Sequence, residues 1–264
     1  MWTRSRPRGS NGRLAAGIRA LCEVSERQRV GGTVMGTSQL LQIHDVLPYS
    51  RANGPGVRAV IWMQGCTLAC PGCFNPDTHP TTGGERVSVD SLFEWLIELG
   101  DGVEGITISG GEPLQQPAVL LAFLSRVRPE TKLSILLFTG YTWEEVQELP
   151  GASEVLSSID VLIAGRYEYV QRLACGLRGS ANKTIHLLSD RYRLGDLQST
   201  PPAEVIITER GEVIVSGIDV PRSWVYNSVS SICCFDSLGK GPVKARHSQW
   251  SNASGLNLKS VRSG

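Results

Sequence analysis

The amino-acid sequence predicts an α/β fold built from consecutive parallel β-α units. Short apolar runs with the character of buried strands alternate with stretches whose apolar residues recur at helical spacing. In addition, four glycine-rich or polar loops each come directly after a predicted strand, which is where α/β proteins keep their functional groups. The chain has 264 residues, of which 41% are hydrophobic, and this suits one substantial core.

The first units follow one another without a long interruption. Strands are predicted over residues 57–64, 104–109 and 133–138. The helix predicted over residues 88–99 separates the first two strands, because its leucines recur on one face. Pro117 suits the first turn of the helix that leads to the third strand. These elements together predict a parallel sheet covered by helices.

The later elements are shorter. Thr142 and Glu145 form a capping-box pattern, which predicts a short helix after the third strand. A fourth strand is predicted over residues 160–164 and a further one over residues 183–188. Residues 205–208 and 212–216 predict a hairpin across a turn at Arg210-Gly211.

The two ends of the chain differ in composition from its centre. Residues 1–30 contain seven Arg and two Glu, whereas the other 234 residues contain 19 basic and 23 acidic side chains. We predict a basic, disordered extension over residues 1–36, a single domain over 37–220 and a Ser-rich, weakly ordered tail over 221–264. A transit peptide and a translation start at Met35 are alternative explanations of the first extension.

Composition and charge exclude several classes of function. The formal net charge is +1, so no overall field attracts nucleic acid or an anionic membrane. No apolar run approaches the roughly 20 residues that cross a bilayer. Three of the seven Cys lie within eight residues, which favours metal binding in a reducing compartment over disulfides. We therefore predict a cytoplasmic protein that binds neither nucleic acid nor membrane.

The cysteine-rich loop carries the strongest chemical signal. Cys66, Cys70 and Cys73 form a CxxxCxxC pattern, and soft thiolates at this spacing suit one face of an iron-sulfur cluster. Four irons need four ligands, so three thiolates leave one iron free for a small molecule. A structural zinc site completed by His79 or a distant cysteine is the alternative, although the chain has no second CxxC pair.

Several segments in order resemble the radical S-adenosylmethionine enzymes. Within that superfamily they look most like the activating proteins of anaerobic ribonucleoside-triphosphate reductase, and less like pyruvate formate-lyase activating enzymes. The resemblance runs from about residue 43 to residue 188. Its motifs are NGPGVR at 53–58, QGCxxxCPGCFN at 64–75, SGGEPL at 109–114, FTGYTWEE at 138–145, IDVLIAGRY at 159–167 and RGSANK at 178–183.

The resemblance implies a partial, open (β/α) barrel of the radical S-adenosylmethionine type over residues 37–220. It also implies one 4Fe-4S cluster held by Cys66, Cys70 and Cys73, with S-adenosyl-L-methionine on the free iron. The residues expected to bind this cofactor are Gly72, Cys73, Phe74, Gly110, Gly111, Glu112 and Thr139.

The activity that the resemblance implies is reductive cleavage of S-adenosylmethionine to a 5′-deoxyadenosyl radical. An electron donor such as flavodoxin or ferredoxin would supply the electron, and the radical would take hydrogen from a glycine of a partner protein. Anaerobic ribonucleoside-triphosphate reductase is the expected partner. The alternatives are another glycyl-radical enzyme, a peptide or a small molecule, as in a 7-carboxy-7-deazaguanine synthase, and a binding module whose metal is only structural.

Some motif residues leave two explanations open. Arg58 lies on the first predicted strand, either facing the site or as a surface charge. Thr139 and Tyr141 are candidates for adenosine contacts, with capping and packing as the competing explanation. Glu112 differs from the Asp that the nearest relatives carry after the paired glycines. The chain also continues beyond RGSANK, where those relatives end, so the identity of the target stays open.

Overall fold

The structure, a computed structural model, describes residues 39–208, 211 and 213–218. The predicted terminal extensions, 1–36 and 221–264, lie outside the described residues. The strands are β1 (Leu40–Ser50), β2 (Arg58–Met63), β3 (Glu85–Ser88), β4 (Gly105–Gly110), β5 (Ser134–Phe138), β6 (Val161–Ala164), β7 (Arg172–Cys175), β8 (Arg178–Ser180), β9 (Thr184–Leu187), β10 (Ala203–Ile207) and β11 (Val213–Gly217). The α-helices are α1 (Val89–Glu98), α2 (Pro117–Glu130), α3 (Trp143–Glu148), α4 (Ala152–Ser157) and α5 (Leu194–Gln198). Each of these helices is too short or too polar to cross a bilayer.

Seven of the described strands form one open sheet, in the order β3-β1-β2-β4-β5-β6-β9. The four central strands, β2, β4, β5 and β6, run parallel. The outer strands β1, β3 and β9 are antiparallel to their neighbours. Because parallel strands share a direction, their four carboxyl ends lie at one edge of the sheet. The α/β fold predicted from the alternating periodicity is thereby confirmed.

One face of the sheet carries the main core. Alternate residues of β2, Ala59, Ile61 and Met63, are buried on this face with the apolar residues of α1 and α2. α1 begins where the Ser88 side chain accepts the backbone N–H of Ser91 at 3.0 Å. The helix predicted over residues 88–99 is confirmed, and its apolar stripe faces the sheet as expected.

The opposite face has a polar band at the amino ends of the strands and a smaller apolar cluster beside it. The strand register places Arg58 of β2 beside Gly105 of β4, and Gly105 beside Ser134 of β5. Leu197 of α5 packs into the apolar cluster, so α5 covers part of this face. The buried members of the cluster are Leu136, Val161, Ile163, Leu177 and Leu197.

Arg58 fills the polar band and is fully buried. Its guanidinium donates to Thr107 Oγ1 at 2.7 Å, to Ser134 Oγ at 2.9 Å and to the Tyr192 hydroxyl at 3.2 Å. A Cβ on Gly105 would lie 2.6 Å from Arg58 Nη1, so the glycine in β4 leaves the space that the guanidinium occupies. Both sequence interpretations of Arg58 are wrong, because it lies neither on the surface nor beside the cysteine loop.

The antiparallel strands β1 and β3 are the part of the sheet that periodicity does not predict. β1 pairs with β2, but the register shifts between Ile43 and Asp45 and again between Leu47 and Ser50. These irregularities interrupt the alternation of buried and exposed side chains that marks a strand. The predicted hairpin is confirmed as β10 paired with β11, although part of its turn lies outside the described residues.

Candidate metal and cofactor site

The four loops that follow the parallel strands meet at one edge of the sheet. The cysteine loop follows β2, the GGEP loop follows β4, Thr139-Gly140-Tyr141 follows β5 and Gly165 follows β6. Because each loop is bonded to another loop or to a neighbouring strand, they form one continuous surface. The backbone N–H donors and carbonyl acceptors are Glu112 to Gly65 at 2.9 Å, Thr139 to Ile163 at 2.9 Å and Gly165 to Tyr141 at 2.7 Å.

The three cysteines of the loop are half-buried and free. Two of them are held through the backbone, since Cys66 N–H donates to the His79 carbonyl at 3.0 Å and Cys73 N–H donates to the Cys70 carbonyl at 3.1 Å. The backbone N–H of Asn75 lies 3.4 Å from Cys73 Sγ. The strand end and these bonds therefore fix where the loop presents its thiols.

The electrostatics of the thiols favour a cationic group between them. Burial raises the pKa of the Cys66 and Cys73 thiols, and the charge of Cys70 raises both further. Thiolates on one short loop repel one another unless positive charge lies among them, which iron supplies. The donor set therefore fits an iron-sulfur cluster, and ligation by Cys66, Cys70 and Cys73 remains a prediction.

The zinc alternative needs a different arrangement. A structural zinc ion draws four ligands to one point, whereas a cubane cluster takes each thiolate on a different iron. In the described part of the chain, no group of three or more His, Cys, Asp or Glu side chains is placed to hold a metal ion, and this applies to the three cysteines as well as to a zinc site. His79, proposed as a fourth zinc ligand, contacts the loop through its backbone carbonyl.

Glu112 connects two of the loops from a buried position, with its side chain only 1% exposed. Its carboxylate accepts the backbone N–H of Gly140 at 2.7 Å, the hydroxyl of Thr139 at 2.8 Å and the backbone N–H of Leu114 at 3.0 Å. Burial raises the pKa of Glu112 to about 6, although these hydrogen bonds oppose the rise. The hydrogen bond between Glu112 and Thr139 supports the explanation that Thr139 has a structural, packing role. A contact of Thr139 with the cofactor stays a prediction.

Gly110 and Gly111 allow the GGEP loop to pass close to β2. Gly110 has a φ of +96°, and a Cβ on it would lie 2.5 Å from the backbone nitrogen of Met63. A Cβ on Gly111 would lie 2.3 Å from the carbonyl oxygen of Gly65. Their lack of side chains is therefore required by the fold itself, and their predicted approach to the cofactor is a separate hypothesis.

Phe74 and Gly72 pack against residues 167–172. The sequence does not show that this segment contacts the cysteine loop. The Phe74 ring packs on the Tyr167 ring with centroids 4.5 Å apart, and the Arg172 guanidinium lies 5.6 Å from the Phe74 centroid. A Cβ on Gly72 would lie 3.5 Å from Tyr169 Cβ. Residues 167–172 thus cover one side of the cysteine loop. Their contacts are tertiary, so no sequence pattern marks them.

Asp45 is a titratable group near this edge that the sequence analysis does not single out. It pairs with Trp62 across β1 and β2, on the face of the sheet opposite the main core. Its carboxylate accepts a hydrogen bond from the backbone N–H of Val46 at 2.9 Å. Among the described residues, the carboxylate has no other hydrogen-bond donor. Burial raises the pKa of Asp45 to about 7. The ionised side chain is therefore poorly compensated.

Replacing Asp45 by Asn should stabilise the protein at alkaline pH. The raised pKa means that the folded state binds more protons than the unfolded state, so the free energy of unfolding falls as pH rises from about 4 to 7. Asp45→Asn removes that loss and should raise the free energy of unfolding by about 2–4 kcal/mol at pH 8, with little effect at pH 4. Urea unfolding at both pH values measures this, with exposed Asp90→Asn as the matched control; an equal effect at both pH values would contradict it.

Comparison with known proteins agrees with the geometry of the site. The family model described as "4Fe-4S single cluster domain" matches residues 52–186. The anaerobic ribonucleoside-triphosphate reductase-activating protein of Salmonella typhi is 32% identical over 157 residues, which are 56% of this chain and 99% of the relative. The protein of the same name from Vibrio cholerae is 36% identical over 55% of this chain and 97% of the relative. The one from Enterobacteria phage T4 is 31% identical over 53% and 90%.

Among solved structures, QueE from Escherichia coli is 16% identical, with a TM-score of 0.30 over 39% of this chain and 54% of that chain. This likeness is too distant to define a shared architecture.

The open α/β sheet, the three-cysteine loop and the matched cluster domain define a radical S-adenosylmethionine enzyme with an iron-sulfur cluster. The chain is 32% and 36% identical to two of these relatives and spans them almost end to end. It therefore belongs to the family of anaerobic ribonucleoside-triphosphate reductase-activating proteins. The match with these relatives covers little more than half of the chain. Residues outside it, including α5 and the β10–β11 hairpin, extend beyond the matched domain.

Proposed function

We propose that this protein cleaves S-adenosylmethionine reductively and installs a glycyl radical on an anaerobic ribonucleoside-triphosphate reductase. The observation that carries the proposal is the meeting of the CxxxCxxC, GGEP and Thr139-Gly140-Tyr141 loops at the carboxyl edge of four parallel strands. Three thiolates at this edge supply three ligands for four irons. One iron would therefore be left for S-adenosylmethionine to bind.

The residues of the site have distinct tasks in this proposal. Cys66, Cys70 and Cys73 would hold the cluster, which would supply the electron for reductive cleavage of S-adenosylmethionine. Glu112 keeps the loops after β4 and β5 at a fixed separation through its hydrogen bonds to Thr139 and Gly140. Such fixed positioning is what a cofactor-driven reaction requires of its protein.

The remaining contacts of the site concern the cofactor and two protein partners. Gly72 and Phe74 lie on the cysteine loop, and Gly110 and Gly111 lie at the start of the GGEP loop beside it, which supports their proposed role in binding the cofactor. An electron donor such as flavodoxin or ferredoxin reduces the cluster from outside. The reductase then presents its glycine to the radical, and neither nucleic acid nor a membrane takes part.

Anaerobic incubation of the reconstituted protein tests the two steps separately. With S-adenosylmethionine and dithionite, we expect 5′-deoxyadenosine to form in the presence of the protein alone. Addition of an anaerobic ribonucleoside-triphosphate reductase should give the electron paramagnetic resonance doublet of a glycyl radical. Cleavage without a glycyl radical, or cleavage that depends on a small molecule, would contradict the proposed target, and absence of cleavage would contradict the enzyme activity itself.

A further inference from the structure

Lys183 is a half-buried cation without a carboxylate partner among the described residues. Its ammonium donates to the carbonyl oxygen of Gly165, directly after β6. No ion pair within 4.0 Å involves Lys183 in the described structure, and its other two N–H donors have no acceptor there. Burying an ammonium with so few partners is costly unless negative charge lies nearby. The position of Lys183 therefore needs an explanation.

The negative charge that Lys183 faces comes from the site. Cys70, Cys73 and Glu112 each raise the pKa of Lys183, although burial, the largest effect, lowers it. Arg166 also interacts with the charge of Cys70, but its guanidinium is bonded to Glu145 and is partly exposed. Lys183 is thus a half-buried cation that feels the negative charge of the site and has no ion-pair partner among the described residues.

The segment that carries Lys183 is held against the cysteine loop. A Cβ on Gly179 would lie 3.0 Å from Phe74 Cε2, so β8 and the loop approach closely. The Asn182 side chain donates to the carbonyl oxygen of Arg166 at 2.9 Å, which fixes the turn between β8 and β9. Because both sides of the turn are held, the backbone of Lys183 keeps its place beside the cysteine loop, and its ammonium is held at Gly165.

We propose that Lys183 raises the reduction potential of the cluster on the cysteine loop and so makes its reduction easier. The inference rests on the proposed cluster site. An external one-electron donor adds one unit of negative charge to the cluster, and no bond forms or breaks in that step. A fixed positive charge stabilises the reduced state more than the oxidised state, since net charge and surroundings set the potentials of such clusters. Lys183 acts on the cluster through its charge and takes part in no bond that forms or breaks.

A redox titration of the reconstituted protein without S-adenosylmethionine measures the effect directly. Reduction of the cluster in Lys183→Met should be about tenfold less favourable, which is about 59 mV lower for one electron. Lys183→Arg keeps the charge and should keep the wild-type potential. Lys132→Met is the matched control, because Lys132 is exposed at the amino end of β5 and its removal should leave the potential unchanged.

The outcomes separate this inference from the proposed function. An unchanged potential in Lys183→Met, with a full cluster, would overturn the role of Lys183 and leave the enzyme activity standing. If Lys183→Met loses the cluster, Lys183→Gln is a second neutral variant that keeps a donor for Gly165; loss of the cluster in both would show that Lys183 only supports the loop. A wild-type chain that takes up no cluster would overturn both proposals. A shifted potential without a glycyl radical would contradict the target alone.

Discussion

Cys70→Ala should abolish the cleavage of S-adenosylmethionine. With one of three thiolates removed, the loop offers two ligands to four irons, and the cluster should not persist. We expect iron bound to the protein to fall from about four per chain to background. Formation of 5′-deoxyadenosine under dithionite should fall at least about 10³-fold, because the reaction has no other source of the electron. Iron and sulfide analysis with product chromatography measures both quantities.

The matched control for this prediction is Cys175→Ala. Cys175 is exposed at the end of β7, outside the CxxxCxxC loop. The same substitution there removes a thiol without touching the proposed ligand set, so iron content and cleavage should match those of the wild-type protein. Retained cleavage in Cys70→Ala would contradict the ligand assignment, and equal loss in Cys175→Ala would show that the assay reports general damage.

The elements that the sequence predicts correctly are stabilised by contacts between residues that lie close together along the chain. The capping box of α3 is an example, because Thr142 Oγ1 accepts the N–H of Glu145 at 3.3 Å while the Glu145 carboxylate accepts the N–H of Thr142 at 2.8 Å. Both partners lie within one helical turn, so the pattern is visible in the sequence. The same holds for α2, which begins at Pro117 as predicted.

The features that the sequence does not reveal depend on distant partners. Periodicity predicts a strand near residues 183–188 but does not give its direction, and β9 is antiparallel to β6. The surroundings of Lys183 likewise depend on Gly165, 18 residues earlier, and on the charges of the cysteine loop, more than 100 residues earlier. For the site, the sequence indicates which loops meet, whereas the contacts of Glu112 and Lys183 require the structure.

Arg58 illustrates the same limit and carries the second large prediction. Its partners Thr107, Ser134 and Tyr192 are 49, 76 and 134 residues away, so the sequence alone leaves it between a site residue and a surface charge. In the structure it connects β2, β4 and β5 to the segment before α5. Arg58 also donates to the carbonyl oxygen of Ser134 at 3.1 Å. Replacement by an apolar side chain would remove the donors to Thr107 Oγ1 and to the carbonyl oxygens of Ile106 and Ser134, all of them buried.

Arg58→Met should therefore lower the free energy of unfolding by about 3–5 kcal/mol, because the buried acceptors lose their donor and no water replaces it. Arg58→Lys should show an intermediate loss, because an ammonium cannot reproduce the guanidinium fork. Arg126→Met is the control, as its ion pair with Asp90 is largely exposed and should contribute less than about 1 kcal/mol. Urea unfolding measures the free energy of unfolding of all three variants.

Arg58 lies at the end of β2 opposite the cysteine loop, so the potential of the cluster should stay unchanged in folded Arg58→Lys. A shifted potential would mean that Arg58 acts on the site after all.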